Sequence, residues 1–189
     1  MPRTRQMFEA AALLSSYLSA AGIPHAFYGG FTSVALGSSR DTEDMCCVVE
    51  GGFRPVRQAL QDCDVLTASQ SSWSGRLFVT YQEPIPAMEI EVLKAGETGP
   101  RKLNASNVML INRVPFLSVS EFLRAKINNW LIHGSESDAH DIIFVLSTFS
   151  QNVDLNRIPE FDMDRFCKSY PGEASFAWNS IKNRYEQVL

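Results

Sequence analysis

A glycine pair and an aspartate placed two residues before a cysteine are the features of this sequence most able to do chemistry. Gly29 and Gly30 follow a predicted strand, and such a pair lets the backbone approach a ligand and turn into a helix whose first amides can bind phosphate. Asp44 and Cys46 begin another predicted strand, so they should face the same way, toward the glycine turn. Two carboxylates at these positions would suit a two-metal phosphoryl-transfer site, but position 46 is a cysteine.

The apolar periodicity around these residues predicts strands in the middle of the chain and helices toward both ends. Helices are predicted over 4–21, 31–36, 55–63, 118 (or 120)–132, 138–149, 159–169 and 172–188. Strands are predicted over 25–28, 45–49, 76–81, 87–93, 108–111 and 116–117. Thr4 is the expected N-cap of the first helix, and Gly22 its end. The pattern favours an α+β domain, a mixed β-sheet flanked by helices with a helical C-terminal part.

Composition narrows the class of protein. A length of 189 residues with 45% hydrophobic residues fits one domain over 1–189. A net charge of −4 argues against a nucleic-acid partner, whose binding needs clustered cations. The sequence has no run of about 18 apolar residues, so no membrane span is predicted. The four cysteines form no C-x-x-C pair, which favours free thiols and a cytoplasmic location.

The order of the motifs resembles the nucleotidyltransferase superfamily, in the minimal form found in small fungal proteins. The resemblance rests on Gly29-Gly30, then Arg40, Thr42 and Asp44, and it continues downstream. Glu91 stands where the family has its third acidic residue, and 117–126 and 138–142 resemble its later helices. The match covers about 22–150, whereas the C-terminal helices of 151–189 carry no recognised motif.

Departures from that family imply a lost activity. Active members hold two Mg²⁺ ions with three carboxylates, but Cys46 replaces the second one, and sulfur is a poor ligand for Mg²⁺. Ser137 stands near the position of a lysine, and Phe31 follows the glycines where a serine is common. We therefore expect no metal, no nucleotide cofactor and no nucleotide transfer.

The candidate site residues follow from the same segment. Asp44 and Glu91 are the predicted catalytic residues; a structural role at the strand start is the alternative for Asp44. The predicted substrate-binding residues are Gly29, Gly30, Phe31, Thr32, Arg40, Thr42, Cys46, Tyr81 and Met88. The ring of Phe31 should face the ligand. Cys46 is either a nucleophile or, as its surroundings in the sequence favour, a small buried apolar residue.

Three functions are compatible with such a cleft. The leading hypothesis is a repurposed fold that binds an apolar small molecule, as a metal-free cyclase, isomerase or pericyclase of the Diels–Alderase type in fungal secondary metabolism. The first alternative is a residual metal-dependent nucleotidyltransferase that modifies a small molecule. The second is a non-catalytic binding module. Mg²⁺-dependent nucleotide binding would separate the first alternative from the other two functions.

Overall fold

The computed structural model describes residues 2–97 and 99–187, which divide into two compact units, Met1–Leu117 and Ser118–Leu189. The first unit contains α1 (Pro2–Ala20), β1 (His25–Tyr28), α2 (Gly30–Ala35), β2 (Cys46–Val49), α3 (Phe53–Ala59), β3 (Leu66–Gln70), β4 (Leu77–Tyr81), β5 (Met88–Lys94), β6 (Val108–Ile111) and β7 (Val114–Leu117). The second unit contains α4 (Val119–His133), α5 (Glu136–Phe149), α6 (Glu160–Ser169) and α7 (Glu173–Glu186), with two short 3₁₀ turns between α5 and α6.

The strands form one mixed seven-stranded sheet in the order β3-β4-β5-β2-β1-β7-β6. The central strand β2 is antiparallel to β1 and parallel to β5. All four of its residues are buried, because β2 lies in the middle of the sheet and is covered on both faces. Its continuous apolar sequence, Cys-Cys-Val-Val, suits that position. The predicted α+β fold, with its mixed sheet and helical C-terminal part, is confirmed.

Helix α1 covers one face of the sheet and supplies much of the core of the first unit. Met7, Leu14 and Leu18 repeat at helical spacing and are each at most 1% exposed. They belong to one apolar cluster with residues of α2, α3 and the strands. At about 25 cal/mol per Å² of apolar surface, burial of this kind is the main stabilising term of such a fold.

Some details of the predicted elements are wrong, among them the end of the helix predicted over 55–63, which lies at Ala59. The first helix begins at Pro2, so Thr4 lies inside it and is not its N-cap. The edge strand β3 was not predicted, because its sequence Leu-Thr-Ala-Ser-Gln is mostly polar and only Leu66 is buried. An edge strand needs one apolar contact face and little else. The end of the predicted last helix, at residue 188, lies outside the described residues. Within the described residues, no helix is long and apolar enough to span a membrane.

The second unit is organised around a buried lysine on α4. Lys126 Nζ lies 2.6 Å from Asp138 Oδ1 and 2.9 Å from Asp141 Oδ2, both on α5. Burial alone would lower the pKa of the Lys126 ammonium, but the two carboxylates outweigh burial and the pKa is raised. Lys126 on α4 therefore neutralises the two aspartates of the 138–142 motif, whereas Ser137, near the family's lysine position, supplies no cation there.

Candidate functional site

Asp44 accepts hydrogen bonds from the first two amides of α2, at the glycine turn. The Gly30 amide donates to Asp44 Oδ2 at 2.9 Å, and the Phe31 amide donates to the Asp44 main-chain carbonyl at 3.0 Å. The expectation that these first amides of α2 are free for a phosphate is therefore wrong. The chain's own carboxylate takes the place that an external anion would need.

The glycines are needed at this turn because other side chains crowd it. Gly29 has φ of 87°, and a Cβ there would lie 2.9 Å from Asp44 Oδ2. A Cβ on Gly30 would clash with Thr42 Oγ1 and lie 2.7 Å from Arg40 Nη2. Thr42 Oγ1 also accepts a hydrogen bond from the Asp44 amide at 3.1 Å. The predicted residues Arg40 and Thr42 therefore lie at the turn, and Thr42 holds the main chain of Asp44 in place.

Cys46 lies between the two predicted catalytic acids. Its thiol donates to Asp44 Oδ1 at 3.3 Å, and its strand position is paired with Glu91 on β5. Burial, followed by the charge and hydrogen bond of Asp44 and the charge of Glu91, raises the pKa of the Cys46 thiol far above its usual range. The thiol therefore stays protonated, which excludes a thiolate nucleophile and leaves a hydrogen-bond donor.

Glu91 is held by an arginine from the neighbouring strand. Arg76 Nη1 lies 2.9 Å from Glu91 Oε1 but does not have hydrogen-bond geometry, so this buried oxygen is paired electrostatically and has no hydrogen-bond donor among the described residues. The Glu91 side chain is 22% exposed, whereas that of Arg76 is 59% exposed. Arg76 is therefore the more exposed partner of this pair.

A cavity of about 300 Å³ opens beside Asp44 and Glu91. It is lined by Arg3, Glu43, Asp44, Met45, Phe78, Ala87, Met88, Glu89 and Glu91. Three predicted site residues, Asp44, Met88 and Glu91, thus meet at one cavity. Phe78, which the sequence placed on a strand flanking the cleft, lines the cavity and pairs with Glu91 across the strands, whereas Arg3 and Ala87 were missed as lining residues.

Three predicted binding residues lie in the core and not at the cavity. Phe31 is fully buried, and its ring centre lies 5.1 Å from those of both Phe8 and Phe116, so the prediction that this ring faces a ligand is wrong. Tyr81 belongs to the same apolar cluster. Thr32 is fully buried as well, and its hydroxyl has no hydrogen-bond partner among the described residues. The apolar surface of the cavity comes instead from Met45, Phe78 and Met88.

The donor set beside the glycine turn does not fit the Mg²⁺ ions that this kind of fold implies. Asp44 and Glu91 are carboxylates, but Cys46 offers a protonated sulfur, and Glu91 already faces a guanidinium. Mg²⁺ requires hard oxygen ligands in near-octahedral order. Over the described residues 2–97 and 99–187, no three His, Cys, Asp or Glu side chains are grouped to hold a metal ion.

Comparison with solved structures shows which fold this is. An antigenic nucleotidyltransferase-like protein from Paracoccidioides brasiliensis superposes with a TM-score of 0.63 at 20% identity, over 92% of each chain. A putative nucleotidyltransferase from H. pylori gives 0.61 at 13% identity, over 99% of this chain and 96% of that one. JHP933 from Helicobacter pylori superposes with a TM-score of 0.62 at 13% identity, over 100% of this chain and 97% of that one.

These similarities define the chain as a protein with a nucleotidyltransferase-like fold. No protein-family model matches the sequence. No curated protein matches it either. The fold is therefore established by the structure, and the activity has to be argued from the site.

Proposed function

We propose that this chain uses its nucleotidyltransferase-like fold to bind a small molecule in the cavity beside Asp44 and Glu91, without Mg²⁺ and without nucleotide. The observation that carries the proposal is the placement of Cys46. A protonated thiol, hydrogen-bonded to Asp44 and paired in register with Glu91, stands where a third carboxylate would complete a metal site. The occupied amides of Gly30 and Phe31 support the same conclusion, because they leave no ready cradle for a phosphate at the turn.

The reaction class that suits such a cavity is a metal-free rearrangement, such as a cyclisation, an isomerisation or a pericyclic reaction of the Diels–Alderase type in secondary metabolism. These reactions depend on holding an apolar substrate in a reactive shape and on a few fixed charges or hydrogen bonds. Met45, Phe78 and Met88 supply the apolar surface. Asp44 supplies a fixed carboxylate, because Gly30, Cys46 and the Thr42 side chain hold it in one position.

Calorimetric titration with Mg²⁺–ATP tests the proposal. The unaltered protein should show no binding up to millimolar concentration, because its donor set lacks a carboxylate at position 46. Cys46→Asp restores that oxygen and should gain measurable Mg²⁺ binding, whereas Cys46→Ser, which adds no carboxylate, should gain little.

The opposite results separate the other functions. Micromolar binding of Mg²⁺–ATP by the unaltered protein would contradict the proposal and favour a residual metal-dependent nucleotidyltransferase. Once a substrate is found, turnover that survives EDTA supports the metal-free enzyme. Ligand binding without any turnover would identify a non-catalytic binding module instead.

A further inference from the structure

We infer that the ligand of the cavity beside Asp44 is a small organic cation, an ammonium group attached to a compact apolar body. The inference rests on the proposed function and specifies the charge and size of the molecule bound. Three observations carry it: the balance of charges around the cavity, the cations that already lie on its rim, and the apolar side chains of its wall.

The charges around the cavity are unbalanced. Glu43, Asp44, Glu89 and Glu91 contribute four carboxylates to its lining. Arg3 pairs with Glu43 at 2.7 Å, and Arg76 pairs with Glu91 at 2.9 Å. Among the described residues, no such ion pair neutralises Asp44 or Glu89. The donors to the Asp44 carboxylate, the Gly30 amide and the Cys46 thiol, are both uncharged and therefore leave its negative charge in place.

The two arginines show that nitrogen cations fit this rim. The Arg3 and Arg76 side chains are 50% and 59% exposed, so each can swing into solvent at little cost when another cation arrives. An anionic ligand, in contrast, would have to take these arginines from their partners and would then face Asp44 and Glu89. The four carboxylates outnumber the guanidinium groups of Arg3 and Arg76, and they remain in excess when Arg40 at the glycine turn is counted, which favours a positive ligand.

The apolar side chains that line the cavity indicate what the uncharged part of the ligand is. Met45, Phe78 and Met88 offer two thioethers and an aromatic ring, which pack well against hydrocarbon or an aryl group. A volume of about 300 Å³ is at the lower end for small-molecule sites, so the ligand is small. A phenylalkyl or alicyclic amine would pack its hydrocarbon part against these side chains and place its ammonium group beside the carboxylates.

Binding of three probes that share a phenylethyl group and differ in the terminal group tests the inference by ligand-observed NMR at low salt. The probes are 2-phenylethylamine as the cation, 2-phenylethanol as the neutral analogue and 3-phenylpropionate as the anion. The cation should bind at least about 10-fold more tightly than the anion, because like charges across a rim are disfavoured. Glu89→Gln should weaken binding of the cation about 3- to 10-fold. Asp62→Asn, the same charge change on an exposed residue outside the cavity, should leave that affinity unchanged.

Each contrary outcome overturns the inference. Equal or tighter binding of the neutral or anionic probe would show that the cavity does not select a cation, while the proposed metal-free small-molecule site would stand. An equal effect of Glu89→Gln and Asp62→Asn would place the cation elsewhere on the surface. Failure of the amine to bind at about 10 mM, which corresponds to less than about 3 kcal/mol of binding free energy, would also overturn it. Failure of the proposed function would appear separately, as Mg²⁺–ATP binding.

Discussion

The two acidic motifs of this chain are stabilised in opposite ways. On α5, Asp138 and Asp141 are buried, and the ammonium of Lys126 lies within 2.9 Å of both. In the first unit, Asp44 is exposed and receives hydrogen bonds from an amide and a thiol, and Glu91 faces an exposed guanidinium. The first arrangement places its cation in the interior, whereas the second leaves its carboxylates beside a cavity.

The difference shows what each motif can do. A charge removed from water must be paired, so the buried triad of Lys126, Asp138 and Asp141 is part of the framework and has no capacity left for a ligand. Carboxylates at a solvent-filled cavity need no such partner and can receive one from outside. Acidic residues of similar appearance in the sequence therefore serve stability in one unit and binding in the other.

Lys126→Met should have the largest effect on stability. Without the ammonium, the buried Asp138 and Asp141 lose the cation that lies between them, and the free energy of unfolding should fall by about 3–5 kcal/mol. Urea denaturation followed by circular dichroism measures the loss. Lys126→Arg, which keeps a cation, should lose less, and Lys168→Met, at an exposed lysine, should lose little. A loss below about 1 kcal/mol for Lys126→Met would mean that the triad is not structural.

The same triad predicts a response to high pH. Because the pKa of Lys126 is raised in the folded state, its contribution to stability is complete below the unfolded value of about 10.4 and is lost as the pH rises through the folded value. The unaltered protein should therefore lose stability more steeply than Lys126→Met above that pH. Parallel slopes for the two proteins would contradict the assignment.

Gly30→Ala should have an intermediate effect, confined to the turn that holds Asp44. Gly30 lacks the positive φ of most glycines in the chain, so its backbone suits alanine and the cost is steric. The new Cβ would clash with the Thr42 hydroxyl, and we expect a loss of about 1–3 kcal/mol in the free energy of unfolding.

A double-mutant cycle isolates that clash. Thr42→Ala removes the hydroxyl, so Gly30→Ala should cost about 1 kcal/mol less in the Thr42→Ala protein than in the unaltered one. If the cost is equal in both, Thr42 is not what excludes a side chain at position 30.

The outline of the site could be predicted from the sequence because it depends on local patterns. The glycine pair, the strand that follows Asp44 and the alternating strand that carries Glu91 are each visible in a few residues. Given a sheet, the pairing of Cys46 with Glu91 needs only the order of the strands. These features brought Asp44, Cys46 and Glu91 together as expected.

What could not be predicted depends on side chains that meet across long distances in the sequence. Phe31 lies in the core because Phe8 of α1 and Phe116 of β7 surround its ring, and no local pattern specifies those contacts. The pairing of Arg3 with Glu43 and of Arg76 with Glu91 likewise depends on the final packing. The cavity is accordingly less apolar than the sequence suggested, and two of its carboxylates are paired with arginines.

Arg76→Met should have the smallest effect on stability, in direct contrast to Lys126→Met. Both substitutions remove the cation next to a carboxylate, but the Arg76 side chain is 59% exposed and that of Lys126 only 7%. Water replaces an exposed guanidinium, so the free energy of unfolding should change by less than about 1 kcal/mol in urea denaturation. The freed Glu91 should at the same time bind 2-phenylethylamine a few-fold more tightly, because the amine no longer competes with a cation of the chain. A loss of about 3 kcal/mol in the free energy of unfolding, or weaker binding of the amine, would show that the Arg76–Glu91 pair belongs to the framework, as the Lys126 triad does.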